Sequence, residues 1–176
     1  MIDEKKIKDL IEKTKKMEHG EKLDLSSDQD LSIAVMNLIS IEEHLFFSGG
    51  KTGKTKYFDL INEVREMRKQ LLKKLIKDYE GEGWCIGKHL LAASMRLMEV
   101  ATKLQTKGEM DKANELFNKA YHLYNLFWGM NLGLINPGKL QEVELDKKEK
   151  PIVHEEKNLF GKLSNVIGKI LDCCRE

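Results

Sequence analysis

Proline is nearly absent, with two in 176 residues, and no run alternates β-branched and polar side chains. The class left is all-α. Cysteine is scarce as well: three residues, two of them adjacent, form no disulfide framework, so a reduced, intracellular, cytoplasmic setting is expected. No charge of one sign dominates, at 30 basic against 29 acidic side chains, and no global field draws the chain to nucleic acid or to an anionic membrane. The first residues, MIDEKKIKDLIEK, lack the apolar core of a signal peptide, and none is expected. No stretch approaches the roughly 18 uncharged apolar residues of a spanning helix. What remains is a chain long enough to bury one core without staples.

Trp84–Leu104 reads as the helix around which the rest of the chain packs. Lys88, His89, Arg96, Glu99 and Lys103 fall in one sector of about 100°, and nearly all the rest of the wheel is apolar. Such a helix is expected at the centre, covered by several others. Gly87, Ser94 and Ala101 recur every seven residues and admit a close neighbour. Before it, Asp3–Met17 reads as a short amphipathic helix within residues 1–20. Ser27, with Asp30 three positions on, reads as the N-cap of a helix running to about Phe47. A third helix covers about Thr55–Tyr79, and a fifth ends near Leu132. The pattern predicts an antiparallel bundle of four main helices over residues 21–137, with the short N-terminal helix against it.

Ser48–Thr55, SGGKTGKT, resembles a phosphate loop, but that pattern needs glycine where Ser48 stands and a strand before it. It reads as a glycine-rich turn. Lys69, Lys73, Lys74 and Lys77 form a solvated face with no interleaved aromatics, so no nucleic-acid partner is expected.

Glu42 is the least expected residue. It lies near the middle of an apolar stripe made by Leu31, Ala34, Val35, Leu38, Ile41 and Leu45. A carboxylate there costs several kcal/mol unless paired. Arg68 projects from the middle of the third helix's stripe and Arg65 from its edge; Arg65, nearer in depth, is the expected partner, with Arg68, better aimed inward, second. Glu42, Arg65, Arg68, His89, Arg96 and Glu99 are the set from which a small-ligand or metal site, and with it an enzyme, would be built.

Leu97, Val100, Ala101, Leu104, Gly108, Ala113, Phe117 and Ala120 follow the spacing of one tetratricopeptide repeat. The resemblance covers one hairpin, roughly residues 94–127. Leu97 stands where that family often has tryptophan, and no second copy follows at a period of about 34 residues. It implies two closely packed antiparallel helices and a protein-binding role.

Residues 138–157 are charged, contain Pro151 and read as a linker. In residues 158–176, Leu159, Phe160, Leu163, Val166, Ile167, Ile170 and Leu171 share one face of a tethered amphipathic helix. This face is the expected partner-binding surface, for a protein partner, a second subunit, a membrane surface or the outside of its own bundle, and its cover is expected to come from something other than the bundle's central core.

Metal chemistry finds little support. Cys85 and His89, four apart, have a zinc-compatible spacing but no further ligand pattern. His122 sits in a polar sector with Asn118 and Asn125, and Cys173 and Cys174 read as free thiols. No cofactor and no catalytic constellation is implied. The reading is a non-enzymatic interaction or scaffold protein, with the small-ligand or metal-binding bundle as its alternative.

Overall fold

A computed structural model describes residues 4–17, 25–76, 82–135 and 167 of the chain. The described residues are helical throughout: α1 (Glu4–Met17), α2 (Ser26–Thr52), α3 (Lys56–Leu75), α4 (Glu82–Thr106) and α5 (Met110–Asn131). The linker 138–157 lies outside the described residues, as do Leu159, Phe160, Leu163, Val166, Ile170, Leu171, Cys173 and Cys174.

The helices pair as two hairpins, α2 with α3 and α4 with α5, which meet chiefly where α2 touches α4. Their starts and stops are set locally. The helix expected to end near Phe47 continues to Thr52, straight through Ser48, Gly49 and Gly50. It stops at Gly53, whose left-handed φ of 68° lets its N–H reach the Gly49 carbonyl at 2.9 Å. Gly49 is buried because Phe58 of α3 lies over it; a Cβ there would meet the Phe58 ring at 2.5 Å. The turn is therefore confined to Gly53–Thr55 rather than spread over 48–55. Ser27 is not the N-cap: α2 begins at Ser26 with Leu25 before it, and no side chain caps that end.

The α4–α5 hairpin closes on small residues. A Cβ added at Gly87 would meet Ile76 at 2.7 Å and touch the Phe127 ring at 3.6 Å, and Ser94 Oγ donates to the Ala120 carbonyl at 2.8 Å. Ala101, Ala113 and Ala120 are buried. These contacts let the backbones approach, as the sevenfold spacing of Gly87, Ser94 and Ala101 anticipates. Gly108 makes the turn at a φ of 79°.

Away from the two turns the hairpins share a core. Val35 and Met36 of α2, Leu72 and Leu75 of α3, Leu90 and Leu91 of α4, and Phe127 and Trp128 of α5 form it. The Phe127 and Trp128 rings meet edge to face at 5.5 Å. At its edge Ser32 gives its proton to the Gln29 carbonyl at 2.6 Å, so Tyr124 donates to Ser32 Oγ at 2.7 Å. Leu134 and Ile135, folded back by Gly133 at a φ of 68°, close the end of the core. α1 adds Ile7, while Lys6 Nζ donates to the Gly133 carbonyl at 3.0 Å. Ile167 is helical, has no exposed surface and belongs to this same core.

One expectation changes here. α4 is not covered on all sides: Met98 and Val100 are exposed, because α4 packs closely on α5 and meets α2 only over part of its length. By length and composition alone α2 is long and apolar enough to cross a membrane. Its two glutamates, Glu42 and Glu43, interrupt the apolar run, which is why the sequence offers no uncharged stretch of that length.

Candidate functional site

Consecutive residues on a helix point about 100° apart, so Glu42 and Glu43 address different neighbours. Glu42 turns to α3. Its Oε2 accepts from Arg65 Nε at 3.1 Å, and its Oε1 accepts from Arg68 Nε. The Glu42 side chain is 13% exposed and that of Arg68 7%, whereas Arg65 is half in solvent. Glu43 turns to α4, where it accepts from Arg96 Nη2 while Arg96 Nη1 donates to Glu99. Burial works against the Arg96 charge, but the hydrogen bonds it donates to Glu43 and Glu99 outweigh that and hold the guanidinium above the ordinary arginine value.

The expected set therefore divides. Glu42, Arg65 and Arg68 come together between α2 and α3, and Arg96 joins Glu99 between α2 and α4. His89 joins neither: it is exposed on α4, seven residues and about 10 Å of helix rise from Arg96. Glu43 is the residue that the apolar periodicity leaves out. It lies off the stripe, and only the position of α4 gives it a partner. Both oxygens of Glu42 are engaged and Arg96 is bound on two sides, so the two clusters tie α2 to each neighbouring helix. Cys85, His89 and His122 are all exposed, and among the described residues no three His, Cys, Asp or Glu side chains converge on one point.

A second feature is apolar. Val35, Leu91 and Trp128 are wholly buried in the shared core. Phe46 lies eleven residues past Val35, Met98 seven past Leu91, and Tyr121 seven before Trp128. At about 100° per residue each offset returns to within about 20° of the same face. Yet Phe46 is 58% exposed, Met98 44% and Tyr121 47%. The faces that close the core at one end thus remain uncovered toward the turns, and Phe47 and Met110 are exposed there too. No known protein family, curated protein or solved structure matches this chain. The tetratricopeptide resemblance rests on the spacing of the α4–α5 hairpin alone.

Proposed function

We propose that this chain is a non-enzymatic, cytoplasmic interaction protein: an antiparallel bundle of four main helices, with α1 and a tethered C-terminal helix, that binds a protein partner or a second subunit. The observation that carries the reading is the uncovered continuation of the core faces at Phe46, Met98 and Tyr121. Monomeric proteins rarely leave large apolar side chains aligned on faces continuous with their core, and such surfaces mark docking sites. The ion-paired state of Glu42 and Arg96 favours this reading over the small-ligand or metal-binding one, since their charges are already engaged across helix contacts. In this reading residues 158–176 are anchored on the bundle through Ile167, and Leu159, Phe160, Leu163, Val166, Ile170 and Leu171 supply the rest of their apolar face.

The test is a comparison of the wild-type chain with Met98→Ser/Tyr121→Ser, both exposed positions whose change leaves the core intact. Light scattering reads self-association, and quantitative affinity capture reads bound proteins. The reading requires a species or an assembly that the wild type retains and the variant loses by at least tenfold. Equal self-association and equal capture by both proteins would remove its support.

A further inference from the structure

The segment from His44 to Phe58, HLFFSGGKTGKTKYF, forms the end of α2, the turn and the start of α3. It contains no carboxylate: the nearest are Glu43 and Asp59, one on either side. Within it Lys51, Lys54 and Lys56 are exposed around the turn. Phe47 is 60% exposed and Phe46 58%, with their rings edge to face at 5.4 Å, and Phe58 is 39% exposed. A chain of balanced total charge has thus gathered basic side chains and uncovered aromatic rings at one hairpin tip. The other hairpin tip is built differently, since Glu109 and Asp111 stand beside Lys107 and Lys112 there.

We propose that the α2–α3 tip docks on the surface of an anionic lipid bilayer. Charge complementarity selects this occupant. Lysines clustered without carboxylates are attracted to acidic headgroups, and aromatic rings beside them enter the boundary between headgroups and acyl chains. The placement agrees: Lys51 lies one helical turn beyond Phe47 on the same face of α2, so a bilayer lying along that face meets ring and ammonium together. The lysine stems are long enough to keep each ammonium at the phosphates while the rings go deeper. A second copy of the chain is a poor occupant, because two tips facing each other would oppose three lysines with three. The proposal shares Phe46 with the protein-partner reading, but Lys51, Lys54 and Lys56 belong to the tip alone, so the lysine variant tells the two apart.

Flotation of the full chain with phosphatidylcholine vesicles, with and without about 30% phosphatidylserine, tests it. The wild type should float with the anionic vesicles, remain behind with the neutral ones, and be released at high salt. Lys51→Gln/Lys54→Gln/Lys56→Gln should weaken binding by about a hundredfold, roughly fivefold per lysine. Phe46→Ser/Phe47→Ser should weaken it at least tenfold. All five positions are exposed, and unchanged circular dichroism melting would confirm that both variants fold; were either to unfold, the lipid and salt dependence of the wild type decides alone. The proposal is overturned if the wild type fails to float, floats equally with neutral vesicles, or is matched by folded variants. It is also overturned if the phenylalanine variant abolishes a vesicle-free dimer, or if soluble polyglutamate binds the tip as tightly as the anionic vesicles.

Discussion

Arg68 is buried and its charge is met by Glu42, while Arg65, on the same carboxylate, is half exposed. Removing Glu42 strands a buried guanidinium; removing Arg65 frees a carboxylate that Arg68 still holds. Glu42→Ala should therefore lower the unfolding free energy by about 3–5 kcal/mol, and Arg65→Ala by less than about 1 kcal/mol. Glu43→Ala, at a site where both partners are over a third exposed, belongs with the smaller effect. The double change Glu42→Leu/Arg68→Met should recover most of the loss, because packed apolar groups replace a buried pair at little cost. Urea denaturation of the four variants gives the order, and equal losses for Arg65→Ala and Glu42→Ala would refute it. Glu42 was legible in the sequence because a charge inside an apolar stripe demands a partner. Glu43 was not, because a charge off the stripe looks the same whether it faces solvent or a second helix.

At the level of the helix, the stretch Ser48–Thr55 shows what composition conceals. Three glycines in six residues suggest a turn, yet only Gly53 has a left-handed backbone; Gly49 is helical and buried under Phe58. Gly50 is helical too, and a Cβ there meets nothing within 4 Å. Opposite signs follow for one substitution at two nearby positions. Gly50→Ala should raise stability by up to about 1 kcal/mol, the helix-propensity difference. Gly53→Ala should lower it by about 1–2 kcal/mol, the cost of a left-handed Cβ. Chemical denaturation of both variants checks the boundary. A destabilising Gly50→Ala would place the turn where the sequence puts it, from Ser48 onward. The small residues of α4, by contrast, were readable in advance: a sevenfold repeat of Gly87, Ser94 and Ala101 has few meanings other than a close helix neighbour, and Ser94 and Gly87 do meet α5.

Across the whole molecule the question is what covers the amphipathic residues near the C-terminus. Periodicity identifies the apolar face of Leu159–Leu171 but says nothing of its occupant, since a core, a partner and a bilayer all accept the same side chains. Ile167 answers for its own position: it is wholly buried with Leu72, Leu91, Phe127 and Trp128 in the core that both hairpins share. The return from Ile135 is sterically easy, because residues 136–166 at about 3.3 Å each reach far beyond the roughly 40 Å length of α2. Closing so long a segment costs little more than closing one half its length, about 0.6 kcal/mol per doubling. Burial of the isoleucine outweighs that increment. Ile167→Ala should then behave as a core mutation even though it lies 32 positions beyond Ile135. A loss of about 2–5 kcal/mol is expected, which for a chain of this size lowers the melting temperature by roughly 5–15 °C. Calorimetry at two protein concentrations separates the outcomes. A large shift that does not depend on concentration places Ile167 in its own chain's core, whereas a shift that appears only at the higher concentration would assign it to a neighbouring subunit. No shift at all would mean that the shared core closes without it.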